Sequence, residues 1–117
     1  MNEHNRDSVG KAYQSFNNKT INLILSLMHP DVSWPKGVHG DYIEGYDNLR
    51  NYWIKQWSEI YINIKPLTLK ENPKGQIEAT VHQIINDLQG NITSDKILKH
   101  IYSFEDGLIK RMEIQKP

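Results

Sequence analysis

His100-Ile101-Tyr102-Ser103-Phe104-Glu105-Asp106-Gly107-Leu108-Ile109-Lys110-Arg111-Met112-Glu113-Ile114 contains two alternating runs that meet at Asp106-Gly107. That dipeptide accepts the positive φ angles of a tight hairpin turn. Strand side chains alternate with period two, so His100, Tyr102 and Phe104 share one face. An imidazole and a phenol beside a phenyl ring make either a pocket wall or an ordinary sheet face. On the returning arm, a single bulge decides whether Arg111 or Met112 looks the same way.

Working back from that hairpin, the period of two persists. Ile77 to Leu88 and Ile92 to Glu105 read as long strands joined around Gln89-Gly90, and Pro73-Lys74-Gly75 as the turn before them. Tyr61 to Lys70 reads as a further strand, with Pro66 marking an edge or a bulge. A two-residue turn at Gln89-Gly90 sets Leu88 opposite Asn91, and opposed residues share a face. His100 then lies with Val81, Gln83 and Ile85, while His82 points the other way with Ile84, Ile97 and Ile101. A three-residue loop would reverse this and bring the two histidines together. The two-residue form is favoured because it yields one polar–aromatic face and one rich in isoleucine.

Upstream the period changes to that of a helix. Leu49, Tyr52, Trp53, Gln56, Trp57 and Ile60 trace one stripe over about three turns, and Asp47 suits its N-terminal end through capping or the helix dipole. Val9, Ala12, Tyr13 and Phe16 form an earlier stripe, closed by Asn17-Asn18. Ile21, Ile24, Leu25 and Met28 form a second, with Thr20 as N-cap and Pro30 as its stop. Asp31 to Trp34 is a short extended piece, followed by a loop holding Pro35, Gly37, Gly40 and Gly45. The expected fold is α+β, a cone-shaped barrel of a curved antiparallel sheet wrapped on three N-terminal helices.

The 117 residues fit a single domain over 1–117. Fourteen basic and fourteen acidic residues cancel and are scattered, which argues against nucleic-acid and membrane-surface partners. The chain has no cysteine, which excludes disulfides, thiolate nucleophiles and cysteine-bound metals. Without an apolar leader or a long apolar run, a cytoplasmic location is expected. Helices cover one side of the sheet only, yet both sides carry apolar residues. A homodimer packed through the back of the sheet is therefore expected.

Helices followed by a long meander, Trp34-Pro35, Gly45, the Tyr52-Trp53 and Gln56-Trp57 pairs, and a terminal His100-x-Tyr102-x-Phe104-x-Asp106-Gly107-Leu108-Ile109 together resemble the nuclear transport factor 2-like superfamily, in its SnoaL-like branch. The resemblance runs from about Val9 to Ile114. It implies a cone-shaped α+β barrel, commonly dimeric, with a pocket between sheet and helices, in a superfamily that includes isomerases, cyclases and dehydratases. It implies that Tyr13 stands where the isomerase branch has a tyrosine that polarises the substrate carbonyl, and His100 near that branch's assisting carboxylic acid. Trp34 falls where that branch has its carboxylate base, so its proton shuttle cannot run here as described. The dehydratase branch's histidine–aspartate pair is not cleanly present either.

The expected catalytic residues are His100 and Tyr13. Imidazole titrates near neutral pH, and a phenol donates to a developing oxyanion. Trp34, Trp53 and Trp57 are candidate walls for a flat apolar ligand, and Gln83 and Tyr102 candidate orienting hydrogen-bonders. The plain alternatives are a histidine satisfied by a backbone carbonyl or a neighbouring strand, and tryptophans that simply fill the core. Asp87 and Asp95 lie near the hairpin end, either within reach of a histidine, with Asp95 on the back face. No histidine pair has metal-ligand spacing, and no glycine cluster opens a helix as a phosphate loop, so neither metal nor cofactor is expected. Two functions stay open: cofactor-independent acid–base chemistry of the isomerase, cyclase or dehydratase kind on a small apolar carbonyl or cyclic compound, or non-catalytic binding of an apolar ligand. A third is an interaction domain working through the back of its sheet.

Overall fold

The computed structural model describes residues 3–37 and 40–115. Its elements run α1 (Glu3–Asn17), α2 (Ile21–Ser26), β1 (Met28–Pro35), β2 (Tyr42–Glu44), α3 (Tyr46–Glu59), β3 (Tyr61–Glu71), β4 (Ile77–Asn86), β5 (Ile92–Glu105) and β6 (Leu108–Gln115). The strands form one curved six-stranded sheet in the order β2-β1-β6-β5-β4-β3, which does not close on itself. The fold is α+β, with the helices against the concave face. Every pairing is antiparallel except β1 with β6, which are parallel. No helix among the described residues is long and apolar enough to cross a membrane.

The front of the chain departs most from the expectation. The second helix stops at Ser26, and Met28 and Pro30 belong to β1. Six residues cannot offset helix nucleation alone, whereas β1 gains a ladder with β6, opened by the Ile109 amide donating to the Leu27 carbonyl (3.0 Å). Tyr42–Glu44, expected in a loop, pairs with β1 as an edge strand. Thr20 sits at the N-cap of α2 but makes no side-chain cap bond. Gly45, at φ 85°, caps α3, leaving Asp47 to act only through the dipole of the first turn.

α1 ends as its asparagines suggest. Lys19 takes a left-handed conformation (φ 58°), and the Thr20 and Lys19 amides reach back to Ser15 and Phe16 in a Schellman closure. The Asn17 amide then donates to the Ile64 carbonyl (2.8 Å) and its oxygen accepts from the Ile64 amide (2.9 Å). This side chain pairs with β3 as a neighbouring strand would, and it fixes the spacing between α1 and the sheet edge.

β4 and β5 pair with Ala79 opposite His100, Val81 opposite Leu98 and His82 opposite Ile97. The faces are those expected, but the turn is not the expected one. Asp87 and Asn91 close a three-residue loop of Leu88, Gln89 and Gly90 (Gly90 φ 91°), with the Asp87 amide donating to the Asn91 carbonyl. Alone, that loop would shift the register by one. A bulge beside Ile92–Ser94 restores it, because Asn86 pairs with Ile92 and Ile85 with Ser94. A second bulge, at Ser103–Phe104, sends Met112 inward and Arg111 to the back. There Arg111 lies 3.9 Å from the centre of the Tyr42 ring and near Glu113 and Ser33. Asp106 and Gly107 have φ 54° and 77°, the paired positive angles of a two-residue turn. Pro66 lies at a bulge on edge strand β3, where its missing N–H breaks no interior ladder.

Candidate functional site

The concave face of the sheet and helices α1 and α3 enclose a cavity of about 280 Å³. Its depth is apolar, walled by Ala12, Phe16, Ile24, Trp53, Leu98 and Met112. Trp53 is anchored there by edge contacts with Trp34 (ring centres 5.3 Å) and Phe16 (5.8 Å). The half-buried Tyr52 and Gln56 of α3 and Gln83 of β4 stand nearer the mouth. Trp57 does not face the cavity. It stacks behind Trp53 (6.1 Å, 15°) and against Phe16, one helical position further round than the opening. It supports the wall rather than forming it.

One polar group lies deep in this apolar lining. Tyr13 from α1 and His100 from β5 meet at 2.8 Å between the phenolic oxygen and Nδ1, their rings nearly parallel. Tyr102, two residues along β5, sets its ring edge-on to Tyr13, and the two hydroxyls interact. Helix period brings Tyr13 inward with Val9 and Phe16, and strand period brings His100 inward with Leu98 and Tyr102. The structure thus brings together the two expected catalytic residues, Tyr13 and His100, with Tyr102, expected as an orienting hydrogen-bonder, beside them.

The electrostatics differ from the expectation. His100 is 2% exposed, and burial pushes its pKa down from 6.5 to about 4. Burial likewise raises Tyr13 well above the ordinary phenol value and raises Tyr102. At neutral pH all three groups are uncharged, so the imidazole is a poor base. Its Nε2 is buried without a hydrogen-bond partner, and the residue is one of those that line the cavity. The 2.8 Å contact admits two tautomers: Nδ1 accepts from the Tyr13 hydroxyl and Nε2 carries the proton, or Nδ1 donates to it and Nε2 keeps a lone pair.

Among the described residues no aspartate or glutamate lines the cavity, while Lys36 and Lys96 do. Sequence reasoning passed over both lysines. Period two marks Lys96, because it shares a face with Leu98 and His100; nothing local marks Lys36, which follows β1 in a loop.

His82 and His29 serve elsewhere. His82 on the back of the sheet meets Asp95 at 2.6 Å, in the register that separates it from His100. His29, Glu105 and Asp106 converge within 4.8 Å, a grouping the spacing of histidines did not reveal. His29 Nδ1 accepts from the Asp31 amide, so its Nε2 holds the proton it gives to Glu105 (2.9 Å). Lys110 stands 3.5 Å from the same carboxylate. The donor set is a surface charge cluster whose imidazole faces its carboxylate with a proton, the wrong tautomer for a metal ligand.

No family model and no curated protein matches this chain. Its likeness is to solved structures. TerC, co-crystallised with polyporic acid, superposes with a TM-score of 0.82 at 21% identity, covering 97% of this chain and 92% of that one. An NTF2-like protein of unknown function from Burkholderia pseudomallei gives 0.83 at 20% identity, covering 97% and 91%. A protein from Mycobacterium tuberculosis in complex with estradiol-17β-hemisuccinate gives 0.84 at 15% identity, covering 97% and 94%. The chain therefore has the nuclear transport factor 2-like fold, the one its sequence resembles.

Proposed function

We propose that the protein binds a small, largely apolar molecule in this cavity, with His100 Nε2 donating to an oxygen of the ligand. The observation that carries the reading is the unpartnered, buried Nε2 of a residue at the apolar end of the cavity. Leaving a buried polar group unpaired costs about 1–3 kcal/mol, which a ligand oxygen would recover. The cavity volume stands at the small end of ligand pockets, matching two or three fused rings. Two proteins of the same fold were crystallised with polyporic acid and with a steroid ester, molecules of the flat cyclic kind.

Hydrogen bonding by a neutral imidazole, backed by Tyr13 and Tyr102, polarises a carbonyl without needing a charged acid. Proton abstraction has less support. His100 is too weakly basic for it, and no described residue brings a carboxylate into the cavity. Catalysis in this pocket is accordingly the second reading, restricted to steps that polarisation alone accelerates. Trp34 and Trp53 act as walls, Trp57 as their backing, and Gln83 as a hydrogen-bonder at the mouth.

The test uses 2-acetonaphthone and 2-ethylnaphthalene, which differ by the carbonyl oxygen. The ketone should bind the wild type about three- to tenfold more tightly, the value of one neutral hydrogen bond. In His100→Leu that preference should vanish. Equal binding of both compounds to the wild type would refute the role of His100, and no binding of either would refute the cavity reading.

The assembly proposal is a homodimer through the back of the sheet. Ile84, Ile97 and Ile101 share that face, and Ile97 is 42% exposed. His82–Asp95 and Lys99–Glu78 pairs flank them. The whole stretch 1–117 is proposed as one domain.

A further inference from the structure

We infer that the ligand is an anion: an apolar body with a carboxylate that sits at the cavity mouth between Lys96 and Lys36. This rests on the binding reading above and specifies its substrate class. The first observation is the sign of the lining. Among the described residues two lysines and no acidic side chain line one cavity, although the chain as a whole is neutral. Neither lysine makes an ion pair among the described residues, while Lys55, Lys99 and Lys110 each have a carboxylate within 4.0 Å. Glu44, in the groove on the far side of Lys36, accepts from Ser33.

The second observation is that the backbone sets where the stems of both lysines start. The inward register of β5 carries Lys96 two inward positions beyond His100, past Leu98 and opposite Gln83. At about 3.3 Å per residue, the two Cα atoms are about 13 Å apart along the strand. Lys36 enters from the other wall, on the turn after β1, where its amide donates to the Asp41 carbonyl (2.9 Å). Gly40 packs so close that a Cβ there would stand 2.9 Å from the Lys36 Cβ. The turn therefore closes tightly against the stem of Lys36, and glycine is what permits it.

The third observation is the separation of roles along the cavity. The deep end offers an uncharged donor, His100 Nε2, and disfavours charge, since burial already keeps the imidazole neutral. The mouth offers charge where water still reaches. A molecule with a neutral oxygen at one end and a carboxylate at the other matches both ends. A cationic ligand would meet two ammonium groups and no counter-charge.

The probes are 6-hydroxy-2-naphthoate and 6-hydroxy-2-naphthamide, near-isosteres that differ in charge, measured by calorimetry. The naphthoate should bind the wild type roughly two- to thirtyfold more tightly, the effect of two partly exposed ion pairs, and the ratio should shrink as salt is raised. In the Lys36→Gln, Lys96→Gln double variant the ratio should fall to about one. Both lysines are exposed, so the variant keeps the core intact. A wild-type ratio of one, or a ratio that survives the double substitution, overturns the anion inference while the cavity reading stands. If neither probe binds, the cavity reading falls and the inference with it.

Discussion

Glutamine in place of His100 keeps a polar side chain beside Tyr13 but removes the buried imidazole. In the folded chain that imidazole has a pKa of about 4, against 6.5 for an ordinary histidine. Below pH 6.5 the unfolded chain takes up a proton that the folded chain refuses. The stability contributed by neutral His100 is therefore complete above pH 6.5 and is lost as the pH falls toward the folded value. Each unit in that window costs about 1.4 kcal/mol. The wild type should lose about 2 kcal/mol between pH 7 and pH 5 from this group, and about 3 kcal/mol by pH 4. Because the side chain is almost fully buried, solvent screening subtracts little. Urea unfolding of both proteins at pH 7, 6, 5 and 4.5 measures the difference, since the other four of the five histidines and all carboxylates are common to both. His100→Gln should be less stable than the wild type at pH 7 and close the gap on acidification. Parallel stability curves, or a His100 imidazole that titrates near 6.5 by NMR, would refute the reasoning.

Trp53→Ala should cost about 3–5 kcal/mol and end ligand binding, because a fully buried indole both fills the core and walls the cavity; a loss below about 1 kcal/mol in urea unfolding would contradict that packing. Asn17→Ala removes both bonds to Ile64 and should lower stability by about 1–3 kcal/mol, with hydrogen exchange accelerated at the Ile64 amide. An unchanged exchange rate there would show that the contact does not form in solution. Ile97→Lys places a charge in the centre of the proposed dimer face and should yield a monomer by sedimentation, whereas a monomeric wild type would remove the dimer proposal.

Strands β3 to β6 and the stripes of α1 and α3 were legible because each rests on a local period. Val9, Ala12, Tyr13 and Phe16 are all buried, as are Val81, Leu98, His100 and Tyr102. The parallel pairing of β1 with β6 was not, since it joins Met28 to Ile109 across most of the chain and leaves no pattern in either. For the same reason Met28 read as the end of a helix. Trp53 and Trp57 have the same chemistry and lie four positions apart, so only the position of the cavity tells the wall from its backing. The identity of His100 as an interior polar group was readable; its depressed pKa depends on apolar neighbours from other elements. Lys96 could have been found by parity alone, while Lys36 depends on how one short turn folds against Gly40.

The loop at Leu88–Gly90 and the bulge before Ser94 behave like two compensating frameshifts in a coding sequence. Each alone puts every downstream side chain on the wrong side, and together they leave the message intact. A three-residue loop without the bulge would set Ala79 opposite Lys99 and turn the His100 imidazole toward the back of the sheet. The exposed hairpin tip, far from His100, is thus where the register that turns the imidazole inward is set.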